Sequence, residues 1–190
     1  TLWQASDELG FTLSYLHQET EQDGQNEVNI NLPGVFQQTR LQTGVDQNRY
    51  EGFTSETDLV NLEIEYDLNW ADFISSSSWI DYESSSDMDL SFFFSLGPWF
   101  VSSDAPQESF TQELRLASKL DGPMQFIAGL YYHDRDRVRL QDLSWSGSPA
   151  SYPGYELGFF RGDFTLKEKA IFGEVSYDLT DKVTTTIGVR

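Results

Sequence analysis

The sequence predicts an all-β chain: an antiparallel up-and-down transmembrane β-barrel segment of about 7–8 strands with short periplasmic turns and long extracellular loops. Three observations predict it. Hydrophobicity alternates with period two almost everywhere, and helical spacing is scarce. Short and long connections alternate strictly, which in a meander gathers every turn at one end of the sheet and every loop at the other. The second face of the strands is polar and charged along its length, where a soluble sandwich or barrel would pack apolar side chains inward.

In chain order, Leu9, Phe11, Leu13 and Tyr15 share one face of the first long strand, against Thr12, Ser14 and Gln18. Residues 57–68 are cleaner: Val60, Leu62, Ile64, Tyr66 and Leu68 oppose Asn61, Glu63, Glu65 and Asp67. The stretch DFISSSSWIDYES at 72–84 is the least defined, because serine fills both faces. The hairpin FTQELRLASKLDGPMQFIAGLYY at 110–132 follows. Its apolar face holds Leu114, Leu116, Leu120, Phe126, Leu130 and Tyr132, and reads as lipid-facing; Glu113, Arg115 and Lys119 read as lumen residues. Ile127 and Tyr131 break the pattern by joining the charged side. Then Ile171, Val175, Tyr177 and Leu179 oppose Glu168, Glu174, Ser176 and Asp178, and Val183, Thr185, Ile187 and Val189 oppose Thr184, Thr186 and Arg190.

The short connections are Ser6–Glu8, Leu68–Asp72, Leu120–Pro123 and Leu179–Lys182, mostly carrying Asp, Asn or Gly. The long ones are 21–56, 85–108 and 138–167, lengths that compact soluble domains seldom contain. Strands of about 12 residues at roughly 3.3 Å each, tilted near 45°, span about 28 Å, enough for the ~25 Å apolar band of a barrel. Tyr66, Trp70, Tyr177, Tyr131 and Tyr132 lie near strand ends, where interfacial girdles belong.

Composition narrows the partners. Against 12 Lys and Arg stand 31 Asp and Glu, a formal charge of -19 that argues against nucleic acid. No cysteine is present, which excludes disulfides, thiolate metal sites and cysteine nucleophiles. Aromatic content is 15% at a mean hydropathy of -0.45, and no apolar run approaches the roughly 18 residues of a spanning helix. The chain begins at Thr1 and ends at Arg190 within the alternating VTTTIGVR. Residues 1–190 are therefore expected to be a partial barrel domain of a longer protein.

ESFTQELRLASKLDGPMQFIAGLYYHDRDR followed by KEKAIFGEVSYDLTDKVTTTIGVR resembles the barrel of TonB-dependent outer-membrane receptors, in its TQELRL strand, its AGLYY strand and its AIFGEVSYDLTDK segment. LGFTLSYLHQETEQDG and LVNLEIEYDLNWADFISSSSWIDYE look like earlier hairpins of that barrel. The resemblance implies active uptake of a scarce small molecule, such as a siderophore-iron complex, across the bacterial outer membrane. It implies a barrel of about 22 strands holding a plug domain, and coupling to TonB through an N-terminal motif. Neither the plug nor that motif is in this sequence. The partners expected are outer-membrane lipid, the plug, TonB and the ligand.

No catalytic constellation and no cofactor or metal site is read. The serine runs at 75–78 and 84–86 have no base beside them. His17 and His133 read as solvated rim residues. ETEQDGQNEVNI at 19–30 mimics a calcium loop, but Ile30 stands where the closing glutamate is required. Ligand contact is assigned to Phe92, Phe93, Phe94, Trp99, Phe100, Tyr152, Tyr155 and Arg161, with loop-on-loop packing or dipping into the membrane rim as the competing account of the aromatics. The run DRDR at 134–137 reads as a self-satisfied surface ladder, with an anion clamp through Arg135 and Arg137 as its alternative. The acidic loops weigh mildly against a strongly anionic ligand. Two other architectures compete: a complete small eight-stranded outer-membrane barrel with an adhesive or structural role, and a soluble β-sandwich that binds carbohydrate.

Overall fold

A computed structural model describes residues 1–24, 42–43, 49–89, 99–145 and 156–190. The strands are β1 (Leu2–Gln4), β2 (Leu9–Gln22), β3 (Gln42–Thr43), β4 (Arg49–Tyr50), β5 (Gly52–Asp67), β6 (Ala71–Asp89), β7 (Trp99–Asp104), β8 (Gln107–Ser118), β9 (Met124–Trp145), β10 (Glu156–Thr180) and β11 (Val183–Val189). Apart from the small β3–β4 pair, they form one antiparallel up-and-down sheet in the order β1-β2-β5-β6-β7/β8-β9-β10-β11. The architecture is all-β, as the alternation predicts.

Strands β7 and β8 fill a single position. Both pair with β6 on one side and β9 on the other, and both keep the same register with each neighbour. Pro106 separates them because it has no N–H to give the ladder, although its carbonyl still accepts from Val138 N–H at 3.0 Å. The meander thus has eight strand positions, the upper bound of the sequence estimate. β1 and β11 stand at opposite edges, so the described sheet is open and is not a closed eight-stranded barrel. With the long strands in one layer, no second sheet among the described residues covers the apolar face as a sandwich requires.

The short turns fall where composition puts them. Leu68 N–H donates to Ala71 O at 2.8 Å. Asn69 takes a φ of 67°, a left-handed conformation that Asn tolerates, and its N–H donates to Asp67 Oδ1 at 2.7 Å. At the β8–β9 turn the Gln125 side chain brackets Leu120, donating to its carbonyl at 2.6 Å and accepting its N–H at 3.1 Å.

The long connections are shorter than predicted. Strands run on beyond the apolar residues, β9 to Trp145 and β10 from Glu156, so most of 138–167 is ladder. Likewise β5 begins at Gly52, β6 continues to Asp89 and β7 opens at Trp99. Polar alternation sustains a strand as well as apolar alternation when neighbours continue the ladder, and the expectation of about 12 residues counted only the apolar stretch.

Cross-strand register defines two faces. On one, Leu13, Leu62, Ser77, Gln112 and Tyr132 follow one another across the sheet, as do Phe11, Ile64, Ser75, Leu114, Leu130 and Ile171 one rung nearer the turns. This face is convex. Along the loop half of β6 its residues 79, 81, 83 and 85 are exposed, while 80, 82, 84 and 86 on the other face are half-buried. The turn half of the convex face is an apolar belt left open: Leu13 is 50% exposed, Leu130 51%, Ile171 76% and Ile187 74%. Aromatic residues edge it. Trp79 and Phe110 sit 5.1 Å apart on the loop side, with Tyr132 6.3 Å beyond; on the turn side Tyr66 stands opposite Phe73, with Trp3 stacked on Phe11 at 5.2 Å one rung further in.

The serine run is explained by the same two faces. On the convex side, Ser77 donates to Gln112, which donates to Ser75 at 3.0 Å. On the concave side, Ser76 and Ser78 both donate to Asn61 Oδ1, at 3.1 and 2.7 Å.

Candidate functional site

The loop half of β9 reads Asp134-Arg135-Asp136-Arg137-Val138-Arg139, and a strand sends alternate residues to opposite faces. The carboxylates therefore part from the guanidinium groups. Asp134 Oδ2 accepts from Lys167 Nζ at 3.0 Å, and Asp136 Oδ1 accepts from Thr165 Oγ1 at 2.6 Å, both on the convex face. Arg135, Arg137 and Arg139 lie on the concave face, about 6.6 Å from rung to rung. No side-chain hydrogen bond or ion pair to these three guanidinium groups forms among the described residues. The self-satisfied ladder is thus corrected: an alternating sign within one strand segregates charge and cannot pair it.

The neighbours of the ladder are neutral. Leu166 faces Arg135, Phe164 faces Arg137 and Gly162 faces Arg139 across the β9–β10 pair. On the other side, Ser109 faces Arg135 and Gln107 faces Arg137. A side chain at Gly162 would meet ring atoms of Phe164 at 2.7 Å and of Phe160 at 3.1 Å. Both rings thus close over the glycine opposite Arg139, yet Phe160 stays 50% and Phe164 52% exposed. The nearest carboxylate on this face of β10 is Glu168, which faces His133 one rung below the ladder.

Nearer the turns the concave face is mixed. Glu113, Arg115, Ile127, Tyr131, Phe172 and Arg190 surround an open cavity of about 710 Å³. Arg115 is held by Glu113, and the Arg190 guanidinium lies 5.4 Å over the Tyr131 ring, two strands away. Ile127 and Tyr131, irregular in sequence, thus share an apolar island with Phe172.

The loop half of the convex face is acidic. Register sets Asp58 opposite Asp81, Asp81 opposite Glu108, and Glu108 opposite Asp136; Glu19, Glu56 and Glu83 form a second row. His17 enters at the edge, 3.0 Å from Asp58 and 3.3 Å from Glu19. These bonds hold the imidazole pKa above its ordinary value, while bonds from Tyr15 and His17 hold that of Asp58 below the usual carboxylate range. Donor atoms of His17, Glu56 and Asp58 lie within 4.8 Å of one another, a set able to hold a cation. His17 is thus a hydrogen-bonded member of this collar.

Of the ligand-contact residues expected from sequence, Phe92, Phe93, Phe94, Tyr152 and Tyr155 lie outside the described residues, as do 25–30 of the calcium-like stretch. Trp99 opens β7, opposite Trp145. Phe100 is 1% exposed on the convex side of β7, not open on a loop. Arg161 belongs to β10 and projects convexly, its Nε and Nη2 donating to Asp163 at 3.1 and 2.8 Å. That pair lowers the Asp163 pKa. Neither residue shares the face of the arginine ladder. Arg139, Phe160 and Phe164 were missed, though basic residues at 135, 137 and 139 in a period-two segment were the available signal.

No protein-family model and no curated protein matches the chain. Among solved structures it is similar to the ferric yersiniabactin uptake receptor FyuA from Yersinia pestis, with a TM-score of 0.66 and 18% sequence identity. The match covers 96% of this chain and 26% of that one, so the chain spans about a quarter of the receptor's length. At that identity the likeness concerns the fold.

Proposed function

We propose that this chain is part of the wall of an outer-membrane receptor that takes up a scarce small molecule with TonB-supplied energy, and that it is not an enzyme. The observation that carries the proposal is the convex belt. An apolar band several strands wide, left open and edged by aromatic residues, would cost about 25 cal/mol per Å² in water, and hydrocarbon removes that cost. The short turns then face the periplasm, the loops face outward, and the concave side lines a wet lumen. Fold-level similarity to a siderophore uptake receptor supports the same reading. An open sheet fits a wall closed by further strands, with a plug domain against Ile127, Tyr131 and Phe172. In this proposal Phe92, Phe93, Phe94, Tyr152 and Tyr155, from the connections, and Trp99, from the start of β7, contribute ligand contacts.

The test uses the absence of native cysteine. Bimane attached at L62C or L114C should be strongly quenched by brominated acyl chains in bilayers, and bimane at E63C or E113C should not. Equal quenching at both sets would overturn the membrane reading. Uptake itself is tested by ligand accumulation in a deletion strain: accumulation undiminished by the deletion, or by a protonophore in the parent, would overturn transport.

A further inference from the structure

The uptake reading leaves the chemistry of the ligand open, and the concave face narrows it. Opposite signs are sorted through the thickness of the wall: at the height of Arg135, Arg137 and Arg139 the convex side carries Asp58, Asp81, Glu108 and Asp136. The concave side of β5 and β6 there offers Ser55, Thr57, Tyr82 and Ser84, with no carboxylate among the described residues of those rungs. A chain of net charge -19 thus presents to its concave face cations that no described residue pairs. Three guanidinium forks span about 13 Å, each able to take an oxyanion through two parallel N–H donors. Beside them two half-exposed phenyl rings bracket Gly162 and provide a flat apolar surface.

We infer that this wall binds a polyanionic small molecule that also carries a planar apolar portion, its oxyanions on Arg135, Arg137 and Arg139 and its flat part against Phe160 and Phe164. Resting on the uptake reading, the inference names the substrate class and reverses the expectation that acidity disfavours an anion. The acids face outward, so within the lumen the ladder sets the local potential, and low-dielectric walls strengthen it. A neutral or cationic ligand would leave the guanidinium groups without partners as it displaced their water. The alternative occupant is an acidic segment of the same protein, and the experiment separates the two.

The full-length protein in detergent micelles is titrated with benzene-1,3,5-tricarboxylate, its neutral trimethyl ester, and propane-1,2,3-tricarboxylate. The aromatic trianion should bind best, the aliphatic one more weakly and the ester not measurably, with affinity falling as salt rises. R137Q should weaken the aromatic trianion about tenfold, and R135Q/R137Q/R139Q further. F160L/F164L should erase the preference for the aromatic over the aliphatic acid, while K167Q on the convex face should change neither. If the single variant folds and the triple does not, R137Q decides. No binding by the parent, or affinity unchanged in R137Q, would overturn the inference. A lowered thermal midpoint with unchanged affinity would instead assign the ladder to an internal acidic partner, also overturning it. Because this titration reads neither lipid exposure nor uptake, its failure is distinct from failure of the transport reading.

Discussion

The ring of Phe172 on β10 occupies the space a side chain at Gly129 on β9 would need: its Cζ lies 2.1 Å from where a Cβ would stand. The two residues are directly linked through the register that pairs Phe172 with Gly129. Glycine in a strand normally weakens it, and a cross-strand ring laid over the bare backbone offsets that weakness. Gly129→Ala should therefore cost about 1–3 kcal/mol by forcing the ring from its seat. In a Phe172→Ala background the same change should become neutral or stabilising, because it then only removes unfolded-state freedom. Thermal unfolding of the four proteins in detergent measures the cycle, and additive effects would show that the contact is energetically idle.

The serine–glutamine group on the convex belt distinguishes lipid from water. Gln112 joins Ser75 and Ser77. In hydrocarbon, Gln112→Ala strands two hydroxyls and should destabilise by about 1–2 kcal/mol; on a wet surface it should fall within about 0.5 kcal/mol of neutral. Replacing Ser75 and Ser77 by Ala and Gln112 by Leu together should recover the loss in bilayers. Equilibrium unfolding from vesicles gives both values.

The convex acids predict a stabilising substitution. Asp81 stands opposite Asp58 on one side and Glu108 on the other, a cross-strand arrangement of like charges that destabilises. Asp81→Asn should raise the thermal midpoint, most at low ionic strength and progressively less as salt screens the parent. An increment that does not shrink between low and high salt would contradict a repulsive origin.

His17 supplies a pH signature. Its folded pKa is raised by Asp58 and Glu19, so its stabilising contribution is complete below the ordinary histidine value of about 6.5 and is lost as pH rises through the folded value. Asp58 acts oppositely: its lowered pKa gives stability that is present above the ordinary carboxylate range and lost on acidification. The parent should therefore lose stability as pH rises beyond about 6.5, in a step that His17→Gln lacks. A histidine NMR titration with its midpoint at or below that of a free imidazole would refute the pairing.

Much of this architecture was legible because period-two alternation is a strong signal when repeated over several strands. Leu62, Leu114, Leu130 and Ile171 declared the belt, and Asn69 and Asp121 marked turns. The ends of the strands were not legible, since Ser84, Gln107, Arg137 and Thr165 carry no apolar period and only their partners hold them in the ladder. The candidate site was half seen: Arg135 and Arg137 entered only as the alternative of an anion clamp, and Arg139, Phe160 and Phe164 not at all. Asp134 to Arg137 looked like a balanced surface ladder while the strand was taken to stop at residue 137. Once β9 extends past it, the two signs belong to different solvents. Arg161 misled in the reverse direction, its cation near an expected loop being already taken by Asp163.

A wall one residue thick also constrains how its gene can change length. Deleting a single codon between Tyr132 and Arg139 would rotate everything beyond it by half a turn, sending aspartates inward and arginines outward while leaving composition almost untouched. Removing two codons would restore the sorting and merely shorten the wall. Viable insertions and deletions in this strand should thus come in pairs of residues, a second reading frame written in geometry over the one written in triplets.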